Sequence, residues 1–254
     1  MNSPKLGVNI DHIATLRELR QTPYPDLLEA ARICEQAGAD QITVHLREDR
    51  RHIQPEDVTR LRAALQVELN LEMAVAPEMI RFASKVKPAW ACLVPEKRQE
   101  VTTEGGLALT KNKGKIAQAI ATLQKQKIRV SLFIEPDLKA IELSHELGAD
   151  AVELHTGQFC LATQRAFGSR SSKRAALELE RIRKAALLGQ KLGIEIHAGH
   201  GFDFENVRQV AALEDERGQA LVSEYNIGHA IVCRAAIVGL ERAVREMLAS
   251  ILAP

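Results

Sequence analysis

Three short segments of the chain repeat one junction, in which a helical stretch ends at a glycine and an apolar strand follows. They are residues 37–40, 147–150 and 192–195. Glycine is a typical helix stop because it adopts a left-handed backbone without the steric cost of a Cβ atom. Repeated helix–glycine–strand junctions are typical of consecutive βα units, whose strands lie parallel in one sheet. The pattern therefore predicts an α/β fold.

Eight segments of the chain have the composition of strands. Eight βα units in 254 residues match the size of a closed (β/α)8 TIM barrel. We expect one such barrel, with extra helices, as a single domain over residues 1–254. An open, doubly wound sheet is the alternative, but no GxGxxG sequence follows the first predicted strand. The strands are predicted at residues 6–11, 42–47, 69–75, 89–94, 129–134, 151–156, 194–198 and 224–227.

Most segments between these strands are predicted to be helical, with three exceptions. The first is a basic loop after the first strand, which contains Arg20 and ends where residues 24–26 open a helix. The second is residues 95–106, which are too polar and glycine-rich to pack and predict a mobile loop. The third is a polar segment that runs to residue 170. A single helix is expected from residue 229 to the C-terminus.

The charge balance and the cysteine spacing exclude several classes of protein. The chain has 34 basic and 33 acidic residues, so it has no broad field for nucleic acid or a membrane surface. Its four cysteines are far apart with no CxxC pair, which argues against a disulfide framework or a cysteine zinc site. The N-terminus has no apolar signal core, and no apolar run reaches the roughly 18 residues that would span a bilayer. We expect a cytoplasmic protein that binds a small molecule.

The second strand has an unusual polar face. Its apolar residues alternate with Thr43, His45 and Arg47, so these three side chains point to the same side of the sheet. A buried histidine and arginine cost several kcal/mol, as an order of magnitude, unless partners or a ligand satisfy them. Arg47 keeps the phase of His45 and is expected to contact an anion. The neighbouring Arg50 and Arg51 are expected to form salt bridges within a solvated loop.

Other strands add polar side chains to the same face. Barrel interiors are usually filled by branched apolar side chains, so this set predicts a site rather than ordinary packing. Glu72 stands out because burial in mid-strand raises the pKa of a carboxyl group, which suits a general acid or base. The side chains predicted to face the interior are Asn9, Asp11, Thr43, His45, Arg47, Asn70, Glu72, Ser131, Glu153, His155, His197 and Asn226.

Two glycine turns follow the last two strands, at residues 199–201 and 226–229, and each precedes a helix. Backbone N–H groups at a helix start can hold an anion, and barrel enzymes commonly bind phosphate after these two strands. Either turn alone is a weak indication. Together they predict a phosphate site.

Six segments resemble the pyridoxine 5′-phosphate synthase family: GVNIDHIATLR (7–17), TVHLREDRRHI (43–53), NLEMA (70–74), VPEKRQEVTTEGG (94–106), AGHG (198–201) and NIGHA (226–230). The resemblance covers nearly the whole chain. It implies a barrel enzyme that condenses 1-deoxy-D-xylulose 5-phosphate with 3-amino-2-oxopropyl phosphate, releasing phosphate and water. It also implies a homo-octamer that uses no metal and no organic cofactor.

The resemblance assigns roles by position. It makes His45 and Glu72 proton acceptors and His200 a proton donor, while Glu153 assists the transition state. The residues implied to hold the amino-ketone phosphate are Asn9, Arg20, Gly201, Gly228 and His229. Those implied to hold the deoxyxylulose phosphate are Asp11, His12, Arg47, His52 and Thr102.

The chain departs from the family pattern in three places. Two segments are longer than expected, at residues 158–172 and 214–223, and His197 stands where asparagine is expected. The longer segments are expected on the surface. The histidine is expected to alter hydrogen bonding near His200.

Three other functions compete with this hypothesis. A Schiff-base aldolase would need a lysine facing the barrel interior, and none of the predicted strands places one there. A metal-dependent isomerase or hydrolase could use the same histidines and carboxylates, but the HxH and HExxH spacings are absent. The third alternative is a non-catalytic sensor of a sugar phosphate.

Overall fold

Eight parallel strands close into a barrel in chain order, from β1 paired with β2 to β8 paired back with β1. The computed structural model describes residues 3–96, 105–163 and 171–253, except for the side chains of residues 171 and 172. The predicted barrel is therefore confirmed, and the open sheet is excluded. The strands are β1 Lys5–Asn9, β2 Gln41–His45, β3 Glu68–Ala74, β4 Trp90–Val94, β5 Arg129–Ile134, β6 Ala151–His155, β7 Glu195–Gly199 and β8 Glu224–Ile227.

Helices surround the barrel and cover the apolar side of each strand. Ile42 and Val44 of β2 are fully buried, as are Leu71 and Met73 of β3, so the core lies between the strands and the helices. The helices of the described residues are α1 Asp11–Arg20, α2 Leu27–Ala37, α3 Pro55–Ala64, α4 Pro77–Val86, α5 Lys113–Gln124, α6 Leu138–Glu146, α7 Gly157–Thr163, α8 Ser171–Leu192, α9 Asn206–Ala211, α10 His229–Val238 and α11 Leu240–Leu252.

The three glycine junctions have the predicted backbone. Gly38, Gly148 and Gly193 have φ angles of 105°, 78° and 76°, in the left-handed region that favours glycine. At the other end of α2, the Asp26 side chain accepts a hydrogen bond of 2.8 Å from the N–H of Leu28. Helix capping signals in the sequence therefore located this helix to within a residue.

Three predictions about helices were wrong. The first strand was predicted to run to Asp11 and to be followed by a basic loop, but β1 ends at Asn9 and residues 11–20 form α1. Only Ile13 and Ala14 among the apolar residues of α1 are buried, so its amphipathic pattern was too weak to detect. Residues 157–163 form α7 within the segment predicted to be polar and irregular. The C-terminal helix is two helices, separated at Gly239.

The helices of the described residues include none long and apolar enough to cross a lipid bilayer. The four cysteines are free, and Cys34, Cys92 and Cys160 are buried. This matches the prediction that they form no disulfide framework.

Candidate active site

His45 and Glu72 lie side by side at the carboxyl ends of β2 and β3. The two residues are paired in the strand register, which places His45 Nδ1 3.8 Å from Glu72 Oε2. The carboxylate of Asp11, at the start of α1, accepts a hydrogen bond of 2.8 Å from the N–H of His45. The side chain of His45 is buried, and that of Glu72 is 16% exposed. The sequence pattern predicted the facing of both side chains, and the register brings them together.

Glu72 is held in its protonated form more strongly than an ordinary carboxyl group. Burial raises the pKa of Glu72 well above its usual value, and the negative charges of Glu153 and Asp11 raise it further. A hydrogen bond with Asn9 offsets only part of this effect. A raised pKa makes a carboxyl group a stronger base once it is ionised, which suits a general acid or base.

Glu153 lies deeper in the barrel and is almost fully buried. Its Oε2 accepts a hydrogen bond of 3.0 Å from Asn226 Nδ2, and Cys92 Sγ lies 3.9 Å away. Burial raises the pKa of Glu153 to about 7, although the charge of His197 and these hydrogen bonds lower it. The negative charge of Glu224 acts in the same direction as burial.

We expect the substitution Glu153→Gln to stabilise the fold at pH 8 and to have little effect at pH 4. The folded state holds the Glu153 proton up to about pH 7, whereas an unfolded chain releases it near pH 4.5. The wild-type protein therefore loses stability as the pH rises through this window, by about 3 kcal/mol on the scale of 1.4 kcal/mol per pKa unit. Urea unfolding at pH 4, 6 and 8 measures the difference, and a gap that does not widen with pH contradicts the assignment.

His200 lies beyond β7 with a left-handed backbone, at a φ angle of 70°. Its ring packs edge-on against that of His155, with centroids 4.8 Å apart. Burial and the charge of His155 lower the pKa of His200 to about 4, although Glu135 raises it. His155 Nδ1 in turn lies 2.8 Å from Glu135 Oε1. The lowered pKa favours the neutral form of His200 at pH 7, and negative charge from a ligand would favour its protonation.

The two glycine turns lie at the same mouth of the barrel as these side chains. Gly201 has a φ angle of 97°, and a Cβ atom on it would lie 3.0 Å from Cys160 Cβ. A Cβ atom on Gly228 would lie 2.9 Å from both Cβ and O of Asn9. Only glycine therefore lets the start of α10 approach β1 so closely.

Two histidines lie close together near the point where the start of α10 approaches β1. The rings of His12 and His229 have centroids 4.9 Å apart. His12 Nδ1 is buried and has no hydrogen-bond partner among the described residues. Burial and the charge of His229 lower the pKa of His12, although Asp11 raises it. A buried nitrogen without a partner, next to the N-terminus of α10, is suited to an anionic ligand.

The remaining predicted binding residues differ in how deeply they are buried and in how close to the site they lie. Arg47 is 4% exposed and forms a hydrogen bond of 3.1 Å to Asp49. His52 is half-buried, with its ring centroid 6.3 Å from that of His45. Arg20 is exposed at the last residue of α1, about 14 Å along the helix axis from Asp11. Thr102 lies outside the described residues.

The basic segment after β2 is an ion-paired loop, as predicted. Arg50 contacts Glu78 at 3.0 Å, and Arg51 contacts Asp49 at 2.6 Å. The neighbouring carboxylate of Glu96 was missed by the sequence analysis. It lies 3.0 Å from His45 Nε2. Glu96 follows β4 in a segment with no periodicity, so no pattern in the sequence indicated where its side chain lies.

His197 contacts carboxylates rather than His200. Its Nδ1 lies 3.6 Å from Glu224 and its Nε2 lies 3.5 Å from Glu195. Burial opposes protonation, but these carboxylates and Glu153 together raise the pKa of His197. This histidine therefore offsets the negative charges of Glu224, Glu195 and Glu153. These contacts do not include His200, so they do not support the expected change in hydrogen bonding there.

Three side chains of the site could hold a metal ion. One ligand atom from each of Asp11, His45 and Glu72 lies within 4.8 Å of the others. Imidazole and carboxylate are ordinary ligands of zinc and manganese. The three residues come from separate segments, so the spacing of residues in the sequence could not reveal this set. The prediction that the protein needs no metal stays a prediction.

Solved structures with a similar fold support the barrel assignment. One is a monomeric form of dimeric phosphoribosylanthranilate isomerase from Thermotoga maritima, which is 13% identical with a TM-score of 0.60 and covers 99% of this chain and 100% of that one. Another is KGPDC from Streptococcus mutans, at 11% identity and a TM-score of 0.63, with coverage of 98% and 97%. At this identity the likeness extends to the fold alone.

The sequence itself is much closer to one family. The chain is 51% identical over 244 residues to pyridoxine 5′-phosphate synthase of Desulfatibacillum aliphaticivorans, covering 96% of this chain and 97% of that protein. It is 52% identical, with the same coverage, to the synthase of Geobacter sulfurreducens. Residues 6–253 match the family model described as pyridoxal phosphate biosynthesis protein PdxJ. This chain therefore belongs to the PdxJ family of pyridoxine 5′-phosphate synthases.

Proposed function

We propose that the protein joins 1-deoxy-D-xylulose 5-phosphate and 3-amino-2-oxopropyl phosphate to form pyridoxine 5′-phosphate, with release of phosphate and water. The observation that carries this proposal is the meeting of His45, Glu72 and Glu153 in one barrel whose mouth also holds two glycine turns. These residues supply proton transfer, and the turns supply anion binding. Membership of the PdxJ family agrees with both.

The reaction needs several proton transfers at different atoms. Imine formation, proton shifts at carbon, loss of water and phosphate, and ring closure each require a proton to be added or removed. In the proposal, His45 and Glu72 accept protons and His200 donates one. Glu153 assists the transition state. The pKa of Glu72 is raised well above its usual value, and that of Glu153 is raised to about 7, so both carboxyl groups hold a proton more strongly than an exposed one.

In the proposal, each of the two phosphorylated substrates is bound by its own set of residues. A phosphate at the turns also explains how His200 becomes a donor, because negative charge nearby raises the pKa of an imidazole. The amino-ketone phosphate is bound by Asn9, Arg20, Gly201, Gly228 and His229. The deoxyxylulose phosphate is bound by Asp11, His12, Arg47, His52 and Thr102.

The direct test mixes the purified protein with both phosphates, without added metal or cofactor. The ultraviolet absorbance of the pyridine ring and the release of inorganic phosphate are followed together. Product from both substrates, and none from either alone, supports the proposal. Calorimetric binding of the substrates without product would instead identify a sugar-phosphate sensor.

We expect exhaustive treatment with a chelator to leave this activity unchanged. Proton transfer by the chain's own side chains needs no Lewis acid, although Asp11, His45 and Glu72 could bind a divalent cation. The control is the chelated enzyme with zinc or manganese added back. Loss of activity on chelation and its return with one of these metals would favour the metal-dependent alternative.

We further propose that the protein forms a homo-octamer, acts in the cytoplasm as one domain and binds neither nucleic acid nor membrane. The family resemblance supports the assembly, and the four free cysteines agree with a reducing compartment. Light scattering on the purified protein measures the assembly. A particle mass other than eight chains contradicts it.

A further inference from the structure

The carboxylate of Glu96 contacts both the ring of His45 and the backbone of the segment that follows β2. Its Oε1 lies 3.0 Å from Nε2 of the His45 ring. Its Oε2 accepts a hydrogen bond of 2.9 Å from the backbone N–H of Glu48. The Glu96 side chain is 4% exposed. Each oxygen of this buried carboxylate therefore has a partner of its own.

Glu96 is ionised in this position. Burial alone would raise the pKa of Glu96, but the hydrogen bond and charge of His45, the N–H of Glu48 and the charge of Arg47 together hold it below its usual value. A carboxylate has no proton to donate, so it can only accept hydrogen bonds. In the neutral ring, which is the form that can accept a proton, this short contact places the hydrogen on Nε2.

The other ring nitrogen of His45 is then free of hydrogen and faces Glu72. The distance of 3.8 Å from Nδ1 to Glu72 Oε2 is too long for a hydrogen bond. The further charged or titratable groups around the ring are the Asp11 carboxylate, bound to the His45 backbone, and the His52 ring at 6.3 Å. Arg47 adds its positive charge on the side of Glu96.

We propose that Glu96 is a positioning residue that fixes the tautomer of His45, so that Nδ1 is the atom that accepts a proton from the substrate. The inference rests on the proposed function for the role of His45. The substrate proton bonds to Nδ1, and the electron pair of the broken bond stays on the substrate. The ring becomes an imidazolium, whose charge Glu96 balances through the Nε2–H hydrogen bond. Release of the proton from Nδ1 restores the neutral ring.

The backbone N–H of Glu48 makes the substitution Glu96→Gln informative. A glutamine has one carbonyl oxygen and one NH₂ group, and the N–H of Glu48 requires the oxygen. The NH₂ group then faces His45 Nε2, which must become an acceptor. The ring hydrogen moves to Nδ1, and the atom that should receive the substrate proton is blocked. The shape of the side chain is preserved while the tautomer is reversed.

We expect Glu96→Gln to lower kcat by about 10²-fold to 10⁴-fold, the upper figure being that of a reversed histidine tautomer in a serine protease, and to change KM only slightly. Glu96→Asp keeps the charge and should recover much of the lost turnover. Glu48→Gln is the matched control, since it removes a carboxylate next to this hydrogen bond but keeps the backbone N–H of residue 48. Nitrogen-15 spectra, with the His45 signals assigned from a His45→Gln variant, should show Nε2–H in wild type and Nδ1–H in Glu96→Gln.

The spectra and the kinetics separate this inference from the proposed function. A wild-type ring with its hydrogen on Nδ1 overturns the inference, whether or not Glu96→Gln folds. Normal turnover in a folded Glu96→Gln protein overturns it as well. If the wild-type protein makes no pyridoxine 5′-phosphate, the proposed function fails, and the catalytic role inferred for Glu96 fails with it. In that case the spectra still measure whether Glu96 sets the His45 tautomer.

Discussion

Replacement of Glu72 by glutamine is expected to lower turnover by about 10²-fold or more, the usual contribution of one general base, while both substrates still bind. Glutamine has nearly the same shape and can keep a hydrogen bond with Asn9, but it cannot accept a proton from carbon or nitrogen. In its ionised form Glu72 is repelled by the negative charges of Glu153 and Asp11, and glutamine removes this repulsion. The folded state should therefore be at least as stable as wild type.

The pH profile of kcat gives a second measure of the same change. Burial and neighbouring carboxylates raise the pKa of Glu72 well above its usual value, so the fraction of enzyme with Glu72 in its basic form grows as the pH rises through that pKa. The residual activity of Glu72→Gln should lack this limb of the profile. The same change at the exposed Glu142 of α6 serves as control. Unchanged turnover in Glu72→Gln would remove this residue from the mechanism.

Substitution of Gly228 by alanine is expected to raise the KM for the amino-ketone phosphate by about 10-fold to 100-fold, the worth of a hydrogen bond to a charged group. The added Cβ would lie 2.9 Å from backbone and side-chain atoms of Asn9, and neither is free to move within β1. The start of α10 must then shift away from β1, and the backbone N–H groups proposed to hold the phosphate shift with it.

Gly114→Ala in α5 is the matched control, because a Cβ atom there meets no atom within 4 Å. It adds the same methyl group to a helix without disturbing a contact. Isothermal titration with the amino-ketone phosphate separates binding from turnover. Unaltered affinity in a folded Gly228→Ala protein would contradict the placement of the phosphate at this turn.

The parts of the site that lie on strands could be predicted from the sequence. Alternation fixes the side of the sheet to which His45 and Glu72 point, and parallel pairing brings neighbouring strand ends together. The helix–glycine–strand junctions could be predicted for a similar reason, since the left-handed backbone at a helix end favours glycine. These features depend on local geometry, which a sequence pattern records directly.

The parts that lie on irregular segments could not be predicted. Glu96 follows a strand end, and its contact with His45 depends on the path of the chain after Pro95, for which no periodicity exists. The helix α1 was missed because it buries little apolar surface. The pairing of Glu135 with His155 likewise joins two strand ends whose register is known only from the barrel. These features depend on how distant segments of the chain are placed against each other, which residue type alone does not determine.

The closure of β1 against β8 has a consequence for the order in which the protein can be made. Asn9 leaves the ribosome long before Gly228, and the two residues lie against each other in the finished fold. A nascent chain that stops short of β8 leaves one edge of β1 unpaired and lacks one side of the proposed phosphate site. The barrel therefore closes only in chains whose synthesis has passed this turn, and we expect shorter products to lack the proposed phosphate site.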